Sequence, residues 1–525
     1  MASDGKELTA TMHVIITMAG HSRRFQDSGY RGPKALLPCG DRTMIEHAIN
    51  MFDTVRDVFY IVLNRQQSEE NPELLSWLKS RAANINPVVI DIHEKGPVHS
   101  ALAVSGIPDD AEVVISYCDF FVDWDYRQFV REVHGADGAI VSFRGFHPAS
   151  FGSTYYAYMR VDGDRMLELR EKRAFTSERE LEHASAGIYY FGSWSLFKEY
   201  GSRILDQKDL ELPEAYVSLL YNPMVGDGLH VVIHEARRFI CLGTPEDYEQ
   251  YCFWWKYFNN TQVELTDPGR GVERVALLPM AGRGSRFKAY GYRVVKPLIQ
   301  VSGVPMMIRA AKSFPQVDRW VCLPRADDLT KHPIIQALET LNGKLDVLGV
   351  DHETSGQAAT CLLAADYITD DAEVLIASCD YEHRYQGRRW QTILDNKDID
   401  GAIWTYRTRG LPVKNPEAFA YCILGDDNET VTEIVEKATI SDTPHLDSMV
   451  VGTFWFRRAR DYKYAARSLI DKDIRINGEH YIGTSINQLL QLGRRFVIFE
   501  IDQWISFGDP FELKVMEYWQ DHFVG

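Results

Sequence analysis

Two short stretches of this chain place glycine, arginine and lysine where a polyphosphate could be gripped. Residues 275–301, VALLPMAGRGSRFKAYGYRVVKPLIQV, pass from an apolar run into a glycine-rich basic loop and on to a lysine. Gly282 and Gly284 lack a Cβ, so backbone N–H groups can come close to phosphate oxygens, and Ala281 and Ser285 belong to the same loop. Arg286 and Lys296 add charge that backbone dipoles alone do not supply. An earlier stretch, residues 14–38, VIITMAGHSRRFQDSGYRGPKALLP, repeats the pattern with Ala19, Gly20, Arg24 and Lys34. Aligned as Met18–Lys34 on Met280–Lys296, nine of seventeen positions are identical, too many for coincidence.

A second recurrence supplies carboxylates. DDAEVVISYCD ends at Asp119 and DAEVLIASCD ends at Asp380, each an apolar run closed by Cys-Asp. An aspartate at a strand terminus beside a phosphate loop suits Mg²⁺ (or Mn²⁺), a hard cation that shares oxygen ligands with substrate phosphates. The plainer reading of each is a strand-end turn residue. The repeat continues through Glu171-Lys172 and Glu436-Lys437, Gly187 and Gly452, Glu214 and Glu479, Tyr216 and Tyr481, and Asn222 and Asn487, each pair 265 residues apart.

The elements that must position these residues follow from periodicity. A strand is expected at His13–Met18, a helix at Thr43–Phe52, a strand at Val58–Asn64, a helix at Leu74–Ala83 and a strand at Pro87–Ile92. A helix starting within His99–Ser105 and a strand at Glu112–Ser116 complete the run. Such alternation predicts an α/β fold with a largely parallel sheet between helices, whose ligands sit beyond the carboxyl ends of the strands. The expected layout is a flexible N-terminus (1–12), a first domain (13–258), a linker (259–273, polar with Pro and Gly) and a second domain of the same kind (274–525). The aromatic run 248–258 is expected to be a helix packed on its own domain, and Glu178–Glu182 a solvated face.

Composition narrows the classes. At 525 residues and 45% hydrophobic content the chain can fill more than one core, and it has no apolar run near the roughly 20 residues of a membrane span. A net charge of −17 argues against general nucleic-acid binding, and the start MASDGKELTA lacks a signal-peptide layout, so the cytoplasm is the expected compartment. The eight cysteines form no C-x-x-C pair and are expected to be reduced thiols rather than zinc ligands or disulfides.

With these motifs in view, the chain resembles the sugar-phosphate nucleotidyltransferases, or nucleoside-diphosphate-sugar pyrophosphorylases, twice over. That family opens on Gly-x-Gly-Ser/Thr-Arg followed by Pro-Lys. Here it reads Gly282-Arg283-Gly284-Ser285-Arg286 with Lys296, and in the first half Gly20-His21-Ser22-Arg23-Arg24 with Pro33-Lys34. The stretches Gly145–Arg160, SGQAATCLLA and INGEHYIGTSIN look like members used in surface-polysaccharide synthesis. The resemblance implies two tandem Rossmann-like, glycosyltransferase-A-like domains, and transfer of NMP from an NTP to a phosphorylated sugar or related small phospho-alcohol with release of pyrophosphate. It also implies that the glycine loops, arginines and lysines hold the NTP, that Gly96 and Gly356 lie in the nucleobase loop, that Asp119 and Asp380 hold the metal, and that Lys172 and Lys437 hold the acceptor phosphate. The sequence departs from the family at Val295, where proline is usual, and at Cys241 and Ser506, where many members carry a second metal aspartate.

The chemistry fits such residues. An ionised acceptor phosphate needs no general base, so neutralising charge and aligning the attack are the whole task, and His21, His47 and His99 receive no role. Neither loop has the third glycine of a dinucleotide fingerprint or the Gly-Lys-Ser/Thr of a Walker A loop. Two alternatives stay open: a nucleotide-sugar-dependent glycosyltransferase, and a tandem in which one half is a non-catalytic binding or regulatory domain. The expected partners are an NTP and a phosphorylated acceptor, without nucleic acid or membrane insertion; homo-oligomerisation is left open.

Overall fold

The computed structural model describes residues 11–150, 156–207, 214–260, 271–409, 413 and 415–525. The expected flexible segment therefore lies outside the described residues up to position 10, as does the linker over 261–270 and part of the stretch Gly145–Arg160. Met12, at the end of the expected flexible segment, is buried and donates its N–H to Asp57 Oδ1 at 3.2 Å. The chain forms two compact units, Met1–Lys256 and Tyr257–Gly525.

The first unit is built on a nine-stranded mixed sheet. Its strand order is Ile85–Ile90, Val58–Asn64, His13–Thr17, Val113–Tyr117, His183–Phe191, Gly138–Phe143, Val231–Glu235, Arg165–Arg170 and Tyr158–Asp162. The first four of these run parallel, and the three inner ones, covered on both faces, have continuous rather than alternating apolar stretches. His183–Phe191 enters antiparallel between Val113–Tyr117 and Gly138–Phe143. Its register shifts between Ser185 and Tyr189, at Gly187, whose φ of +87° favours glycine and where a Cβ would meet the Phe120 ring at 2.7 Å.

The second unit repeats this order with Lys344–Val347, Arg319–Pro324, Arg274–Met280, Glu373–Ile376, Ser448–Phe456, Gly401–Tyr406 and Phe496–Glu500. The hairpin Ala420–Leu424 and Val431–Glu436 pairs with Ser448–Phe456, as the hairpin Tyr158–Asp162 and Arg165–Arg170 pairs with His183–Phe191 in the first unit. The fold class expected from sequence is present in both halves.

Element ends shift by a few residues where local chemistry decides them. The first helix of the expected series runs Met44–Ile49, because Thr43 and Glu46 close a capping box around its N-terminus. The helix expected within His99–Ser105 begins at Pro97, since proline suits the first helical turn and Gly96 precedes it. The aromatic run is a helix, Pro245–Asn259, with Tyr248 and Tyr251 buried, Tyr248 edge-on to Phe25 and Tyr30.

The core of the second unit contains the fully buried tryptophans Trp390, Trp404 and Trp455, with Trp390 and Trp404 ring centroids 4.7 Å apart. Trp404→Ala is expected to destabilise the chain by about 3–5 kcal/mol in urea unfolding, because it empties a fully buried site. Trp404→Phe, which keeps one six-membered ring and leaves a smaller void, is expected to cost less than the alanine variant.

Candidate active site

The glycine loop of the first unit leaves the sheet at Thr17 and is held from behind. Met18 donates its N–H to the Val62 carbonyl at 2.8 Å, while the buried amides of Asn64 and Gln67 donate to the Ala19 and Met18 carbonyls at 3.0 and 2.9 Å. Asn64 and Gln67 are themselves locked by a capping box at the end of their strand. This support escaped the sequence reading, although Asn-x-x-Gln after an apolar strand is a recognisable helix start. The second unit has Pro324 in place of Asn64 and lacks it.

Both loops turn through the left-handed region before a short helix. Gly284 has φ +59° and Ser22 has φ +55°, so the first unit makes with a serine the turn that the second makes with a glycine, a strain of about 1 kcal/mol. Gly20 and Gly282 differ from these. Neither has a positive φ, and a Cβ at either would meet nothing within 4 Å. The protein's own packing does not require glycine there.

Lys34 and Asp119 face each other across the neighbouring parallel strands His13–Thr17 and Val113–Tyr117, Nζ to Oδ2 at 2.6 Å. Lys296 and Asp380 do the same at 2.5 Å, and all four side chains are about one-fifth exposed. Burial works against the Lys34 charge, but Asp119 outweighs it and holds the ammonium above the usual lysine value; Asp380 does the same for Lys296. Burial likewise works against the Asp380 carboxylate, and Lys296 with the Ser378 hydroxyl outweighs it, holding the carboxyl below its ordinary range. Arg24 is exposed at the rim, and Arg286, mostly exposed, approaches Asp509 at 3.6 Å.

Gly96 and Gly356 have a structural reason of their own. With φ +90° and +127°, each brings the backbone against a second loop: a Cβ would meet Ala215 N at 2.7 Å or His480 N at 2.6 Å. Val98 and Ala358 then donate to the Ala215 and His480 carbonyls. That contact carries Glu214 and Tyr216 to the mouth of the first site.

The Glu-Lys pairs are placed by the asparagines 51 positions on (171 to 222, 436 to 487). Asn222 exchanges two hydrogen bonds with the Leu169 backbone at 2.8 Å, and Asn487 two with Ile434 at 2.9 Å, pinning the strand that delivers each pair. Lys172 and Lys437 then sit at φ +54° and +57°, strained backbone of the kind concentrated at functional sites. Their side chains part company: Lys172 Nζ donates to Tyr216 Oη at 2.8 Å, Lys437 Nζ to the Ala418 carbonyl. Glu171 is held by the Ser218 hydroxyl at 2.5 Å, and burial raises its carboxyl; Glu436 is pushed up to about 7 by burial, which Lys437 only partly offsets.

The structure thus brings Ala19, Gly20, Arg24, Lys34, Gly96, Asp119 and Tyr216 to one cavity of about 630 Å³. Lys172 reaches it through Tyr216. In the second unit Gly282, Gly284, Ser285, Arg286, Lys296 and Asp380 line a cavity of about 210 Å³, and Ala281, Gly356 and Lys437 are not in its lining. An apolar groove of about 640 Å³ lined by Tyr292, Leu298, His332 and Leu513 contains none of the expected site residues.

The donor set bears on a cation. At Gly508, a Cβ would lie 3.1 Å from Asp380 Oδ2 and 3.5 Å from both Glu512 Oε2 and Ser506 Oγ, so three hard oxygen donors converge on one point. The equivalent point at Gly243 meets Asp119 Oδ2 at 3.3 Å and the Cys241 thiol at 3.7 Å, and burial keeps that thiol protonated. Among the described residues no cluster of three or more His, Cys, Asp and Glu could cage a metal alone. The second site fits a cation shared with phosphate oxygens better than the first.

Residues 14–182 match the MobA-like NTP transferase domain family. No curated protein matches the chain. Among solved structures, a nucleoside-diphosphate-sugar pyrophosphorylase from Vibrio cholerae RC9 is 20% identical, with 45% of this chain and 98% of that one covered at a TM-score of 0.38. An inositol-1-phosphate CTP transferase from T. maritima is 14% identical, with 48% and 98% covered at 0.37. The matched span contains the loop, Lys34, Asp119 and Lys172. Among the described residues no helix is long and apolar enough to cross a membrane.

Two outcomes follow from this geometry. Gly282→Ala is expected to change stability by less than about 1 kcal/mol while weakening nucleotide binding, whereas Gly356→Ala, which drives a Cβ into backbone, costs more than about 2 kcal/mol. Urea unfolding and titration with Mg²⁺-NTP read the two effects; the reverse pattern would remove Gly282 from the ligand surface. Glu436 holds a proton in the folded state between its unfolded value near 4.5 and its folded value of about 7. Stability therefore falls as pH rises through that window, by up to about 3 kcal/mol, and levels off above it. Glu436→Gln is expected to remove that slope, so the gap between variant and parent in urea unfolding grows in the variant's favour from pH 4.5 to pH 8.

Proposed function

We propose that the chain transfers NMP from an NTP to a phosphorylated sugar or related small phospho-alcohol, with release of pyrophosphate, and that it does so with Mg²⁺ or Mn²⁺. The observation that carries the reading is the lysine–aspartate pair beside a glycine loop, formed twice at the same place in the sheet, in a chain whose residues 14–182 match a MobA-like NTP transferase domain. The loop N–H groups and Arg24 or Arg286 receive the polyphosphate. Lys34 or Lys296 neutralises it, and Lys172 or Lys437 holds the acceptor phosphate. An acceptor phosphate oxygen forms a bond to the α-phosphorus as the bond to the β-phosphate oxygen breaks, and pyrophosphate leaves with that electron pair. Asp380 with Glu512, or Asp119, would hold the cation, which would supply charge neutralisation to the phosphates. A cytoplasmic role in making surface-polysaccharide precursors belongs to the same reading.

A second reading, in which one half binds without turning over, draws on the smaller second cavity and on Lys437 being engaged by Ala418. Pyrophosphate release is expected when the full chain meets Mg²⁺, an NTP and a sugar phosphate. Asp119→Asn and Asp380→Asn, made singly, apportion it between the halves; no release from any of the four common NTPs with a panel of sugar and polyol phosphates would overturn the reading.

A further inference from the structure

All eight cysteines are unbridged, and the structure brings two of them into contact within the first unit. Cys39 closes the two-residue strand Pro38–Cys39, which follows the turn Lys34–Leu36, and Cys252 lies on the helix Pro245–Asn259. The two thiols hydrogen-bond to each other. Cys252 Sγ also lies 3.9 Å from the Pro38 carbonyl oxygen, which accepts from the Tyr248 hydroxyl at 2.7 Å. One residue further on, the hairpin is pressed against the same helix. Gly40 has φ +71°, and a Cβ there would lie 2.6 Å from Trp255 Nε1, so hairpin and helix meet with no room between them. On the other side His47 Nε2 donates to the Cys39 carbonyl at 2.9 Å. The two sulfurs differ in their surroundings. Cys39 is fully buried, whereas Cys252 is partly exposed. The Cys39 hydrogen bond outweighs burial at Cys252 and, with the Tyr248 hydroxyl and the Gly40 N–H, holds that thiol below its ordinary value despite the nearby Glu249 carboxylate. Burial raises each of the other seven. The second unit has no such pair, since Val301 and Glu517 stand at the equivalent positions.

We propose that Cys39 and Cys252 form a hydroperoxide-responsive dithiol that closes to a disulfide and ties the helix Pro245–Asn259 to the segment of chain leaving Lys34. The Cys252 thiolate attacks one oxygen of the peroxide, the O–O bond breaks, and the departing hydroxide takes up the proton that the thiol gave away. The sulfur of Cys39 then bonds to the Cys252 sulfur as the new S–O bond breaks, and the Cys39 proton leaves with that hydroxyl as a second water. Two thiols are oxidised to one disulfide, and one hydrogen peroxide is reduced to two waters. A reactive thiol within reach of solvent, with a buried second cysteine beside it, is the arrangement this sequence of steps requires. The closed ring runs from Cys39 to Cys252 and takes in Asp119 and Lys172, so the bond constrains the first unit and leaves the second unlinked.

The test uses the full chain. After treatment of the folded protein with hydrogen peroxide and removal of the oxidant, thiols titrated in urea are expected to fall from eight to six, and to return to eight with dithiothreitol. Mass spectrometry of a non-reduced digest is expected to show one cross-link, between the peptides carrying Cys39 and Cys252, lighter than their sum by two hydrogens. Cys39→Ser keeps a hydroxyl donor beside Cys252 but removes the second sulfur, so Cys252 is expected to accumulate as a sulfenic acid that dimedone labels. Cys252→Ser is expected to keep all its remaining thiols at the same dose. Eight thiols left in the parent chain, a bond between two chains or between any other pair of cysteines, or a loss of thiols in Cys252→Ser equal to the parent's would each overturn the inference. The cross-link is read in the parent chain itself, so the test stands even if a variant fails to fold.

Discussion

Everything at the two candidate sites depends on one ion pair, lysine to aspartate, held where two parallel strands end side by side. Thr17 lies opposite Tyr117 in register, so the loop leaving one strand and the Cys-Asp leaving the other are forced together. Two charges about four-fifths covered are tolerable only in contact, and removing either would strand the other in poor solvent. In the proposed reaction this local charge balance would be taken over by the polyphosphate and its cation, the phosphate drawing the ammonium and the cation the carboxylate.

Around that pair the two units have drifted in opposite senses. The first has buried amides behind its loop and a cavity three times the volume, but makes its left-handed turn with Ser22. The second makes that turn with Gly284 and converges three oxygens near Gly508, yet has a small cavity and a lysine turned toward Ala418. Neither set of changes weakens the strand-end geometry. That is the pattern expected of duplicated domains whose shared frame is under tighter packing constraint than the residues lining the sites.

Much of this was legible from residue order. The repeat, the α/β alternation and the pairing of a glycine loop with a downstream Cys-Asp all depend on local patterns, and Val58–Asn64 was placed to the residue. Boundaries moved where a cap intervened, as at Thr43 and Pro97. The roles of Asn222 and Asn487 were not legible: each acts on a strand backbone some 53 residues away, and nothing in a polar side chain's identity says which carbonyl it will meet. The family resemblance puts Gly96 and Gly356 in the nucleobase loop, but the backbone that excludes a Cβ comes from residues more than a hundred positions later.

Sequence alone therefore determined what is local or periodic: two copies of one domain, the strand–loop–lysine unit, and the candidate phosphate-binding and metal-binding residue types. Tertiary structure decided what depends on distant partners. It alone set which carboxyl has a donor and which does not, because Ser218 and Gly483 reach their glutamates only once separate segments pack, and hydrogen bonds are short-range while sequence separation is not. It also decided that a glutamate from the first turn of the helix Pro510–Phe523, rather than the residue two before Gly508, brings a second carboxylate toward Asp380, since the fold measures that approach through space.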